Sequence, residues 1–194
     1  MQTTIDLLRH GEVLGGSCYR GITNDPLTEK GWGQMEHKID KQDHWDIIVS
    51  SPLSRCHDFA QSLSKKIARP LSVNPAFQEF NFGDWEGKTA EQIDPHLLNQ
   101  FYKDPVNFPP PNGEPFHDFQ HRILTAWLSL LKTDQNKNIL LITHAGVIRI
   151  ILAHILSLDT QHSFRLKISH ACLSSVDCFQ IADTEDFFQL TKHG

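Results

Sequence analysis

Apolar residues along this chain fall into two rhythms. Dense apolar runs at 5–8, 46–50 and 139–143 have the length of strands buried on both faces. Between them apolar positions recur every three or four residues, as on one side of a helix. Trp32, Met35 and Ile39 follow Thr28, a natural N-cap, and that helix ends before Trp45. Leu53, Cys56, Ala60, Leu63 and Ile67 form a second stripe, with Ser51 as the expected cap and Pro52 as the first helical residue. A third stripe, Phe116, Phe119, Ile123, Trp127 and Leu130, opens at Pro115 and ends near Lys132. Residues 147–158 are apolar nearly all round, a buried helix interrupted only by Arg149 and His154.

Other stretches carry weaker signals. Residues 71–80 read as a poor strand broken at Pro75, and 89–102 as one or two short helices broken at Pro95. Residues 78–87 are dense in aromatics, carboxylates and glycines and read as a shaped loop, with Phe80, Phe82 and Trp85 as its packing. Five prolines between 104 and 115 predict a stiff surface loop bordering a site. Residues 173–179 and 187–190 close the chain as two strands, antiparallel or at an edge. Strands alternating with helices predict an α/β fold, a three-layer α/β/α sandwich with a mostly parallel central sheet. The expected organisation is one domain over 1–194, with a loop or helical cap inserted at about 80–115.

Composition narrows the function classes. Hydrophobic content of 39% and charged content of 21% are ordinary for a globular chain of 194 residues. A net charge of -5 argues against a nucleic-acid partner but permits a local positive pocket. No run is long and apolar enough for a membrane span, and the N-terminus lacks the pattern of a signal peptide. Cys18, Cys56, Cys172 and Cys178 lack close paired spacing, so a cytoplasmic protein with reduced thiols is expected. His117 and His121 are four apart on an expected outer helix face without an evident third ligand, so no metal site is predicted.

The chemistry gathers where strands end. Arg9-His10-Gly11, the segment 51–55 with Arg55, and Thr143-His144-Ala145-Gly146 each follow an apolar run. In a parallel α/β sheet those ends share one edge, where ligands bind. Two arginines, two histidines and helix N-termini suit a phosphoryl group. A neutral His10 can attack phosphorus, provided its other ring nitrogen donates to an acceptor such as a backbone carbonyl. Arg9 and Arg55 disfavour the imidazolium, His144 can donate to the transferring group, and a nearby carboxylic acid can protonate the leaving alkoxide.

These segments resemble the histidine phosphatase superfamily, which holds acid phosphatases and phosphoglycerate mutases. RHGE from Arg9, NDPLTEKG from Asn24, SPLSRC from Ser51, FGDWEG from Phe82 and THAG from Thr143 occur in the family's order. The resemblance implies that His10 is the phosphorylated nucleophile, that Arg9, Arg55 and His144 bind phosphate, and that Glu79 is the proton donor. Glu86, Asp84 and Glu12 lie in comparable loops and remain alternatives for that acid. Within the superfamily the stretch 18–35, the loop from Phe80 and the helix entry 110–127 are similar to the alpha-ribazole phosphatases of the cobalamin pathway.

One position departs from the pattern. Many relatives have Asn six residues after the nucleophile, where it contacts phosphate, and here Gly16 stands instead. Arg20, in the same loop, is the residue expected to supply the missing donor. The resulting expectation is a phosphomonoesterase without metal or cofactor, acting on a small phosphomonoester, alpha-ribazole 5'-phosphate first. A broad-specificity phosphatase or a phosphoglycerate mutase is the enzymatic alternative, and an idle phospho-ligand or protein-binding module is the non-enzymatic one. Arg149, on an apolar helix, could simply pair with a buried carboxylate, and oligomeric state is not legible.

Overall fold

Alternation sorts the apolar runs onto two faces of one sheet. In this computed structural model, which describes residues 2–180 and 186–194, strands β1 (Gln2–Arg9), β2 (Ile47–Ser50), β3 (Leu71–Val73), β4 (Asn138–Thr143), β5 (Leu173–Phe179) and β6 (Phe187–His193) pair in the order β3-β2-β4-β1-β5-β6. Met1 and 181–185 of the expected 1–194 domain lie outside the described residues. The first four strands in that order are parallel, and β5 runs antiparallel to both β1 and β6.

Leu8, Ile48, Leu140 and Ile142 point to one side, where they pack with Met35 of α1 (Glu29–Lys38) and Cys56, Phe59, Ala60 and Leu63 of α2 (Ser54–Ile67). Ile5, Leu7, Val49, Ile139 and Leu141 point to the other, against α4 (Phe116–Thr133) and α5 (Ala145–Ile155). The result is a three-layer α/β/α architecture, as the periodicity predicts. No described helix is long and apolar enough to cross a membrane.

Several boundaries differ from the sequence reading. Thr28 does cap α1, accepting from Gly31 N at 2.9 Å. α2 begins at Ser54, not Pro52, and Ser51 does not cap it. The Ser54 amide is held instead by Asn24 Oδ1 at 2.7 Å, while the Ser51 hydroxyl is engaged with His144. β3 stops at Val73, and a 3₁₀ turn over Pro75–Phe77 replaces the rest of the expected strand, because Pro75 suits a turn's first residue and Asn74 caps it. α5 starts at Ala145, so His144 is its N-cap. Between β3 and α4 lie 3₁₀ turns at Gly83–Trp85 and Ala90–Gln92, followed by α3 (Pro95–Lys103). Phe80 and Trp85 are buried there in an aromatic cluster with Phe101, Phe116 and Phe119.

Candidate active site

The nucleophile candidate is fixed by main-chain pairing that continues beyond β1. The His10 amide donates to the Thr143 carbonyl at 3.0 Å, and the His10 carbonyl accepts from Ala171 N at 3.2 Å. Gly11 then lies flush on α1, where a Cβ would stand 2.0 Å from the Gly31 carbonyl oxygen. His10 Nδ1 is 2.8 Å from the Gly11 carbonyl. A carbonyl only accepts, so Nδ1 carries the proton and Nε2 the lone pair. Burial first, then the charges of Arg9 and Arg55, hold the imidazole well below the usual histidine range. The ring is neutral at physiological pH.

Arg9 Nη1 donates to the Ile168 carbonyl at 2.7 Å. Its Nε is buried without a hydrogen-bond partner among the described residues, an arrangement that an anion would satisfy. Desolvation lowers Arg9 to about 10, so it stays cationic at neutral pH. Glu79 is nearly buried, with Oε2 accepting from Gly146 N of α5 at 3.1 Å and Oε1 accepting from Phe80 N at 3.0 Å. A cleft of about 560 Å³ has Arg9, His10, Glu12, Arg20, Glu79 and His170 in its lining. A second groove of about 540 Å³, between α1 and α2, contains none of these residues.

Arg55 and His144 lie behind this cleft and do not line it. Both are fully buried. The rings of His144 and His10 meet edge to face with centroids 5.2 Å apart. Arg55 donates through Nη1 to the Thr23 carbonyl and through Nη2 to the Gly21 carbonyl, each at 2.6 Å. Its Nε donates to His144 Nδ1 at 3.3 Å, which puts the His144 proton on Nε2, facing Ser51 Oγ at 2.7 Å. Burial, followed by Arg55, also holds His144 well below its usual range.

The loop that receives Arg55 is itself gripped by Glu86. That carboxylate accepts from the amides of Gly21, Ile22, Thr23 and Phe82 and from the Thr23 hydroxyl. Glu86 is therefore committed to the loop, and Asp84 is bound to Asn112. Glu12 lines the cleft but pairs with Lys30 at 2.7 Å. Arg20 is committed in a similar way: Nε binds Asp25 at 2.6 Å, Nη2 the Leu14 carbonyl at 2.8 Å and Nη1 the Gly16 carbonyl at 3.2 Å. Its guanidinium braces the loop after His10, with Gly16 beside it and open space where a Cβ would project.

Among the described residues Arg149 has no carboxylate partner, so no buried ion pair holds it there. Its Nε donates to the Leu166 carbonyl at 3.0 Å, and the guanidinium lies 5.6 Å from the Phe164 ring centre. The backbone there offers an acceptor that no local pattern reveals. Two further residues at the site, Arg122 and His170, are not marked out by the sequence motifs. Arg122 donates to the carbonyls of Ala76, Gln78 and Glu79 and pairs with Glu114 at 2.7 Å, so it clamps the backbone that presents Glu79. The one available signal was a cation set between the apolar positions Phe119 and Ile123. Among the described residues no group of three or more His, Cys, Asp or Glu is placed to hold a metal ion.

Parallel strands ending in cations and neutral imidazoles, with a carboxyl group on a helix N-terminus, define an α/β protein equipped to hold and transfer a phosphoryl group. The sequence pattern of the histidine phosphatase superfamily (branch 1) matches residues 5–184. The chain belongs to that superfamily. Adenosylcobalamin/alpha-ribazole phosphatase from Salmonella typhimurium is 28% identical over 178 residues, covering 88% of each chain. The crystal structure of alpha-ribazole phosphatase from Shigella flexneri superposes with a TM-score of 0.80 at 25% identity, over 96% of this chain and 95% of that one. A mycobacterial hydrolase shares the fold at a TM-score of 0.87 and 23% identity, over 97% of each chain.

Proposed function

We propose that this chain is a phosphomonoesterase that hydrolyses alpha-ribazole 5'-phosphate through a phosphohistidine at His10. The observation that carries the reading is the His10 tautomer. Its Nδ1 proton is tied to the Gly11 carbonyl, which leaves a neutral Nε2 lone pair beside Arg9 and Glu79. In the first step Nε2 attacks phosphorus, the P–O ester bond breaks, and the Glu79 carboxylic acid gives its proton to the departing alkoxide. In the second step water attacks the phosphohistidine, Glu79 carboxylate takes its proton, and the P–N bond breaks to release phosphate. Arg9 neutralises the anion directly; Arg55 and His144 support it from behind, and Arg20 holds the loop over it.

The scheme treats 1–194 as one catalytic domain with 80–115 as its cap, and it draws on no metal or cofactor. The organic half is assigned from the likeness to the Salmonella and Shigella phosphatases and from a cleft large enough for a nucleoside-sized ester. The test is brief incubation with labelled alpha-ribazole 5'-phosphate, followed by quenching. An alkali-stable, acid-labile phosphoryl label is expected on the wild type and absent from His10→Ala, and turnover should persist in EDTA. A panel with phosphoglycerates, phosphoserine and an aryl phosphate decides the substrate. Equal kcat/KM across it would mean a broad phosphatase, and absence of both label and phosphate release would leave a binding module.

A further inference from the structure

The turn carrying His170 plays no part in the scheme above, yet it is fastened to the nucleophile's own backbone. Arg9 N donates to the Cys172 carbonyl at 3.0 Å and Ala171 N to the His10 carbonyl at 3.2 Å. Within the turn, Cys172 N donates to the Ser169 carbonyl at 3.0 Å. Ala171 is buried in the left-handed region at φ 52°, a conformation that a residue with a Cβ holds only when its surroundings impose it. His170 is thereby presented at a set place, with its ring centre 5.9 Å from that of His10 and the planes inclined by 45°. It lines the same cleft, and neither ring nitrogen has a hydrogen-bond partner among the described residues.

We propose that His170 is a phosphate-binding residue, donating an N–H hydrogen bond to a non-bridging oxygen of the phosphoryl group held at His10. The proposal rests on the phosphatase reading. A phosphorus atom poised for attack stands about 3–3.5 Å from the attacking nitrogen, so its oxygens fall within reach of a ring placed this close. Charge chemistry is consistent with the role. Arg9, Arg20 and Lys30 face His170 as cations and Glu12 as an anion. Partial burial first, and Arg9 second, push the imidazole down to about 4. The ring therefore remains neutral through the physiological range, giving direction to an anion whose charge Arg9 balances.

The experiment compares His170→Ala, His170→Phe and His170→Asn in the full chain, with inorganic phosphate as competitor against hydrolysis of an aryl phosphate. Loss of one hydrogen bond to a charged group should raise the phosphate Ki about tenfold in the Ala and Phe variants. Their kcat/KM should fall by a similar factor for every ester in the panel, and His170→Asn, which keeps an N–H donor, should recover part of the loss. An unchanged Ki in both His170→Ala and His170→Phe would overturn the proposal. So would a defect confined to esters of one organic group, which would place His170 on the leaving group instead. A wild type that neither turns over nor binds phosphate would remove the phosphatase reading itself, and this proposal with it.

Discussion

Gly146 occupies the first turn of α5, where alanine is ordinarily the better helix former by about 1 kcal/mol. Here a Cβ would lie 2.2 Å from Glu79 Oε1 and 3.1 Å from Phe119 Cζ. Gly146→Ala is therefore expected to destabilise by about 1–3 kcal/mol, the usual range for overpacking. By displacing the carboxyl group it should also lower kcat about tenfold or more. Urea melts and steady-state kinetics check both, and a more stable variant with full turnover would contradict the placement. At this scale Arg9, His10 and His144 are legible as candidates because each interrupts an apolar pattern that has no packing use for it. Arg122 carries only the weaker mark of a cation between two apolar positions of a helix stripe, and His170 carries none. Their parts depend on backbone carbonyls and rings brought close only by folding.

The loop over 21–23 shows how one element can depend on a single side chain. Its amides point at Glu86 and its carbonyls at Arg55, so the two charges hold it from opposite directions. Glu86→Gln keeps the shape but turns an amide donor towards donors. The expected cost is about 2–3 kcal/mol of stability, since hydrogen bonds to a charged acceptor are lost and some are left unmade. A fall in activity should accompany it as Arg55 loses its anchorage; denaturant titration and kcat/KM measure the two effects, and wild-type values for both would refute the account. The strands of the site are legible in the sequence because buried parallel strands are continuously apolar. Helix starts are less so. Ser51 and Pro52 spell a start that α2 ignores, because the Ser51 hydroxyl has a stronger claim from His144.

On the scale of the whole molecule, the buried imidazoles couple stability to pH. His10, His144 and His170 all have lowered pKa values in the folded chain. The unfolded chain takes up those protons near its ordinary value of about 6.5. The folded state thus binds fewer protons, and stability should fall as pH drops below about 6.5 and rise again as pH rises through it. Urea midpoints between pH 7.5 and 5 should decline in the wild type and decline less steeply in His10→Asn; parallel profiles would contradict a buried neutral His10. The alternation of helices and strands was enough to predict three layers. The strand order β3-β2-β4-β1-β5-β6 was not legible, because pairings such as Leu7 with Leu141 and with Ser174 join distant parts of the chain.

Those same pairings have a consequence for motion. His10 hydrogen-bonds through its amide to the residue ending β4 and through its carbonyl to the turn before β5, so its main chain opens only when neighbouring strands separate. Such openings need nearly the free energy of global unfolding and are rare on the timescale of a catalytic cycle. As the proposed nucleophile, His10 would be the stationary partner in the reaction. Any rearrangement that admits an ester or releases phosphate must take place in the surrounding loops.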